Sequence, residues 1–157
     1  MAEYTAVTEQ TVNSNQPVIF TETSVPCNRG FVQHEDGTGS FTLSGTVIRN
    51  NGCDCPCQGT PSADYLVDFS ANIAVPDGGT AGAISVALSL GGTVIPATQM
   101  IVTPAATGEF FNVSVAKNVR LYAGCCRDLA VINTSDQAIS VSNAIINFTR
   151  PDLVMSY

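Results

Sequence analysis

The sequence predicts an all-β domain built from two antiparallel sheets, and three observations carry that expectation. Apolar residues recur at every second position in short runs, the signature of strands with one buried face. Turn-forming glycine clusters separate the runs at roughly 8–12-residue spacing. No stretch sustains a helical period, and Val, Ile and Thr abound while the residues of a helix's solvent face are scarce. About eight strand candidates can be counted, which suits a two-sheet jelly-roll sandwich.

The runs follow in order. In GSFTLSGTVI, Phe41, Leu43 and Val47 share one face and Ser40, Thr42, Ser44 and Thr46 the other. In DYLVDFSANIAV the apolar set is Tyr65, Val67, Phe69, Ala71, Ile73 and Val75. AISVALSL places Ile84, Val86, Leu88 and Leu90 opposite Ser85, Ala87 and Ser89, and EFFNVSVA aligns Phe111, Val113 and Val115. LAVINT and AISVSNAIINFT continue the style with Leu129 and Val131, then Ile139 and Val141. Between them fall Asp36-Gly37, Asn51-Gly52, Asp77-Gly78-Gly79, Gly91-Gly92, Gly108 and Gly124, where glycine supplies the positive φ of tight turns. Phe41, Val67, Phe69, Val86, Leu88 and Phe111 are the expected core. One domain spans residues 1–157, interrupted by a Cys-rich loop or insertion at 49–62 and closed by an apolar tail at 151–157, with Pro151 ending the last strand.

Composition excludes several roles. Charged residues make up 12% of the chain and hydrophobic ones 45%, so the surface is polar mainly through Ser, Thr, Asn and Gln and is weakly protected against association. Six Lys and Arg against thirteen Asp and Glu give a net charge of −7, which offers neither the basic footprint of a nucleic-acid binder nor attraction to an anionic membrane. The opening MAEYTAVTEQ has no basic n-region or apolar h-region, so the expectation is synthesis without secretion and release by lysis or assembly. The most apolar stretch, Ala81 to Ile95, is too short and too interrupted to span a bilayer.

The series QTVNSNQPVIF, GSFTLSGT, YLVDFSANIAVPDGGTAGAISVALSLGGTVIP, VTPAATGEFFNVSV and LAVINTSDQAISVSNAIINFTR resembles the tumour-necrosis-factor-like jelly-roll domain of bacterial and phage surface proteins. That domain caps collagen-like spore-surface proteins of Firmicutes and has free-standing relatives among phage virion proteins. The resemblance covers roughly Glu9 to Arg150 and rests most on ISVALSLGGTVIP and LAVINTSDQAISVSNA. It implies an all-β fold, a compact homotrimer or higher assembly of the chain with itself, other virion or surface-layer proteins as partners, and no catalytic residue. The chain departs from the pattern in lacking a Gly-X-Y stretch and in carrying six cysteines. A weaker resemblance is to jelly-roll subunits of spore appendages, whose cysteines cross-link neighbours, although residues 1–26 here contain no Cys.

The thiols are Cys27, Cys53, Cys55, Cys57, Cys125 and Cys126. Disulfides, reduced thiols and a thiolate metal site at Cys53, Cys55 and Cys57 are all open; the C-x-C-x-C spacing matches structural zinc poorly, which prefers C-x₂-C pairs. Fifteen pairings are possible in six cysteines, and disulfides would persist only outside a reducing cytoplasm. The lone histidine, His34, lies in the turn-like QHEDGTG and reads as a solvated residue rather than the base of a Cys–His pair. Glu35, Asp36, Asp64 and Asp68 read as solvated charges, and the Asn-x-Ser/Thr matches at Asn112, Asn133 and Asn147 as chance. The sequence thus predicts a non-enzymatic, cofactor-free structural protein of a virion or spore exterior: a capsid decoration or head-fibre subunit first, a disulfide-stabilised spore-surface or appendage subunit second, a glycan- or receptor-binding tip module third.

Overall fold

The computed structural model describes residues 1–45, 62–122 and 126–151. Among the described residues, twelve strands form two six-stranded antiparallel sheets, which pack as a sandwich: β1 (Ala2–Ala6), β2 (Gln10–Val12), β3 (Glu22–Val25), β4 (Val32–His34), β5 (Phe41–Ser44), β6 (Ser62–Ala74), β7 (Ile84–Leu90), β8 (Thr93–Val94), β9 (Met100–Val102), β10 (Phe111–Tyr122), β11 (Cys126–Asn133) and β12 (Ile139–Thr149). The first sheet runs β10-β6-β12-β1-β3 with β2 also on β12; the second runs β4-β5-β11-β7-β8 with β9 also on β7. The expected fold class holds. The additional strands are the short ones near the N-terminus and β8 and β9, whose two to five residues are too few for a period to register.

Alternation does what it predicts on the long strands. β6 buries Ala63, Tyr65, Val67, Phe69, Ala71 and Ile73 and leaves the residues between them half-buried on the outer face. Phe41, Val67, Val86 and Leu88 are fully enclosed and Phe69 is 2% exposed. Phe41 sits in an aromatic nest, its ring centroid 5.0 Å from Tyr4, 5.2 Å from Phe20 and 5.0 Å from Phe148. Gly91 and Gly92, with φ of 60° and 81°, form the two-residue turn between β7 and β8, a conformation that favours glycine at both positions.

Phe111 departs from the expected core. It faces inward opposite Ile73, as its parity requires, yet it is 37% exposed. β10 is the edge strand and Phe111 is its first residue, so no further strand covers the ring. His34 departs in the other direction. It lies in β4, half-buried, stacked on Phe41 at 4.3 Å and edge-on to Tyr4 at 4.9 Å, with both ring nitrogens against the carbonyls of Ser40 and Phe20. Hydrophobic cover from the neighbouring aromatics draws an aromatic ring inward even when turn-formers follow it.

Two irregularities are absorbed by side chains. In β12 the pairing with β6 shifts between Ser142 and Ile145, and Asn143 there takes φ of 50°. This bulge flips the parity, so the inward set changes from Ile139 and Val141 to Ala144, Ile146 and Phe148. Between β8 and β9 a 3-10 turn at Pro96–Thr98 interrupts the sheet edge. The hydroxyl of Thr98, 1% exposed, accepts from the Leu88 N–H at 2.9 Å and donates to the Ile95 carbonyl at 2.7 Å, which replaces the missing strand partner.

Candidate functional site

The outer face of the first sheet can be read directly from its register. Successive cross-strand rows are Asn112–Asn72–Ser142, Ser114–Ser70–Ile145–Thr5, Ala116–Asp68–Asn147–Glu3 and Asn118–Leu66–Thr149. Small and amide side chains dominate, with Leu66 and Ile145 as apolar points. A shallow depression at the centre is lined by Asp68, Ser114, Ala116, Ile145 and Asn147. Asn147 Oδ1 is buried there without a hydrogen-bond partner, and such an atom carries a desolvation cost that a further donor would relieve. At one end of the face Asn112 Nδ2 donates to Ser70 Oγ and Asn72 Oδ1, which holds the polar ladder in register.

At the other end Arg120 grips Asp64 in a two-pronged ion pair, Nε to Oδ1 at 2.7 Å and Nη2 to Oδ2 at 3.0 Å. This hydrogen bonding outweighs the opposing effect of burial and, aided by the Arg120 and Arg150 charges, holds the Asp64 carboxyl below the ordinary carboxylate range. A lowered folded-state value stabilises the fold above the unfolded carboxylate range, and that contribution is lost as pH falls through the lowered value. Both side chains are well exposed, so the contribution is small and screened by salt. NMR titration of the Asp64 carboxyl should show its pKa rising in Arg120→Gln; an unchanged titration would remove the ion pair as the cause.

Apolar side chains stand uncovered in two places. Phe110 and Phe111 at the start of β10 are exposed at the edge of this sheet, and Ile101 on β9, in register with Ser85, is 61% exposed on the second sheet. Tyr4, at the centre of the core, is pushed above the ordinary tyrosine range by burial first and then by Cys27 and Asp36.

Of the predicted cysteines, Cys27 packs half-buried against the core and Cys126 is exposed, both as free thiols. Cys53, Cys55, Cys57 and Cys125 lie outside the described residues, and so does the thiolate metal site considered for Cys53, Cys55 and Cys57. Among the described residues, no group of three or more His, Cys, Asp or Glu is placed to hold a metal ion. Strand pairing sets Cys126 opposite Ser44 and Tyr122 opposite Ser62. The Ser44 N–H donates to the Phe31 carbonyl, and the Gly30 N–H to that of Cys27. The described chain on either side of residues 46–61 and of 123–125, and the Cys27 turn, therefore all sit at one end of the sandwich. No single run of sequence shows this, because the strands that bring these segments together are far apart in the chain.

The fold has a counterpart among solved structures. The globular domain of zebrafish complement 1qA superimposes with a TM-score of 0.58 at 12% identity, over 96% of this chain and 95% of that one. The chain has the fold of that domain, a two-sheet antiparallel jelly-roll sandwich. Two carbohydrate-binding structures match more loosely: the C-terminal domain of the sugar-binding protein EclA (TM-score 0.40, 14% identity, 92% of this chain and 79% of that) and a family 35 carbohydrate-binding module from an environmental isolate (0.37, 17%, 96% and 97%). No protein-family profile matches the chain. No curated protein matches it either. Among the described residues, no helix is long and apolar enough to cross a membrane.

Proposed function

We propose that this chain is a non-enzymatic structural module that assembles with itself, as a trimer, and forms or decorates the outer surface of a large particle, first of all a phage virion. The outer face of the first sheet is the observation that carries the reading. It combines a small-residue surface with a shallow central depression, a buried amide oxygen without a donor, and exposed apolar side chains at Phe110 and Phe111 on the adjoining sheet edge. This edge of one copy laid on the face of the next makes a head-to-tail contact, which closes into a trimeric ring when the rotation between copies is one third of a turn and runs on as a filament when the rotation does not close. Only 12% of the residues are charged, so little repels a second copy. The single histidine has both ring nitrogens directed at backbone carbonyls and its face on Phe41, which fits a structural role rather than a base.

Light scattering coupled to size exclusion tests the self-association. The expected mass is three times the 16.4 kDa chain, falling to one chain in Ile145→Asp with an unchanged circular-dichroism spectrum. A wild-type monomer at micromolar concentration would sink the trimer. Recovery of the chain from purified virions, read by mass spectrometry, tests the location.

The exposed thiol of Cys126 favours a second reading, a subunit of a spore surface or appendage joined to its neighbours by disulfides. Alkylation followed by electrophoresis without reductant distinguishes the two. A ladder of multimers that collapses on reduction supports the covalent filament, and a monomer band supports the decoration subunit.

A further inference from the structure

Toward the C-terminal end of β10 the outward side chains are exposed and change in character: Asn118, Arg120 and Tyr122 follow one another along a single line. Strand geometry spaces them about 7 Å apart. Asp64 on β6 stands in register with Arg120, and the two share a pair of hydrogen bonds at 2.7 Å and 3.0 Å. A groove of about 490 Å³ opens at this end of the sheet, with Asp64, Asn118, Arg120 and Pro151 among its walls.

The ion pair does little for the fold, because its side chains are 63% and 41% exposed and pairs of that kind stabilise weakly. What it does is hold two groups side by side with hydrogen-bonding capacity left over. A guanidinium has five N–H donors and Arg120 uses two of them on Asp64, while each Asp64 oxygen keeps a lone pair free. The exposed Asn118 amide, which both donates and accepts, has no hydrogen-bond partner among the described residues. Tyr122 is 56% exposed, and its phenol is near enough to add to the upward push on Arg120 after the larger effects of Asp64. Acceptor and donor therefore alternate along the groove, and an uncovered aromatic ring stands at its end.

We propose that this groove binds a neutral pyranose sugar, with Asp64 and Arg120 meeting two adjacent hydroxyls, Asn118 a third, and Tyr122 carrying the C–H face of a ring. Each hydroxyl donates and accepts, so a carboxylate and a guanidinium locked side by side match an adjacent pair of them with charge-assisted bonds. The electron-rich face of the tyrosine ring suits the C–H groups of a pyranose. Charge sets the class of sugar. The two ionised side chains cancel each other, and a chain of net charge −7 repels an acidic saccharide. The line from Asn118 to Tyr122, about 14 Å long, fits a disaccharide rather than a single ring. The depression assigned to self-association lies nearer the middle of the same face, around Ile145 and Asn147, so different side chains test the two assignments.

Titration of the isotope-labelled full chain with lactose, cellobiose and mannobiose, read by backbone amide shifts, tests this. At least one should bind saturably at millimolar concentration, with the shifts centred on Asn118, Arg120 and Tyr122. Sorbitol, which has adjacent hydroxyls but no ring face, should not saturate. Tyr122→Ala and Asp64→Asn, both exposed changes, should each weaken binding about tenfold while circular dichroism stays native. Ile145→Asp, which lies outside the groove, should bind as the wild type does whatever its oligomeric state. No saturable shift with any of the three disaccharides overturns the site. Affinity unchanged in Tyr122→Ala, or lost in Ile145→Asp, overturns the placement, and sorbitol binding as tightly as the disaccharides overturns the pyranose assignment.

Discussion

Phe41→Ala will destabilise this protein more than any other single truncation of the aromatic core, by about 3–5 kcal/mol. Phe41 is fully buried, and its ring meets Tyr4, Phe20, His34 and Phe148 at centroid distances of 4.3–5.2 Å. These partners come from β1, from the segment before β3, from β4 and from β12, so the cavity would open where both sheets converge. Each side chain is held by others in turn, which limits collapse into the void and keeps the cost at the upper end. Domains are stable by only about 5–15 kcal/mol, so the melting temperature should fall by roughly 10 °C or more. Phe41→Leu should recover most of the loss. Phe111→Ala is the contrast: same residue type, same inward parity, but 37% exposed, so its effect on urea unfolding of the isolated chain should be under about 1 kcal/mol. Equal midpoints for the alanine variants of Phe41 and Phe111 would contradict the arrangement described.

Asn133→Leu should cost about 3–5 kcal/mol although it adds apolar surface to a fully buried position. The Asn133 amide donates to the carbonyls of Val12 at 3.0 Å and Gln137 at 2.9 Å, while its oxygen accepts from the Ser135 N–H at 2.9 Å. One side chain thereby ties the end of β2 to the turn between β11 and β12. Ser135 in turn accepts from the Ser85 N–H, carrying the same polar network to β7. Leucine would leave two carbonyls and one N–H without their partner in a region closed to water, each at about 1–3 kcal/mol. Hydrogen exchange should show faster opening at Ser135 and Ser85 than elsewhere in the second sheet. If Asn133→Leu is neutral in urea unfolding, water must reach this turn and the burial argument fails.

Asn133 also shows how far a linear reading goes. In sequence it is one of three Asn-x-Ser/Thr matches with nothing to separate it from Asn112 and Asn147. In the fold the three are a buried hub, an exposed ladder residue and an amide with an unpaired oxygen on the outer sheet face. The candidate surfaces were legible to the same limited degree. Phe111 and Arg120 look like an ordinary core residue and an ordinary strand charge, and only their neighbours make one an uncovered apolar point and the other half of a fixed ion pair.

What the sequence by itself determined is whatever depends on alternation and turn chemistry. The two-sheet antiparallel class, the inward faces of β6, β7 and β11 and the Gly91-Gly92 turn all follow from a period of two residues and from glycine's tolerance of positive φ. What only the tertiary structure decided is whatever depends on which strands become neighbours. Phe111 is uncovered because β10 is an edge, His34 is stacked because β4 lies beside Phe41, and the Cys27 turn lies at the same end of the sandwich as Cys126 because β5 pairs with both β4 and β11. A strand carries its facing in its own residues, but the side chains that cover it come from segments distant in the chain.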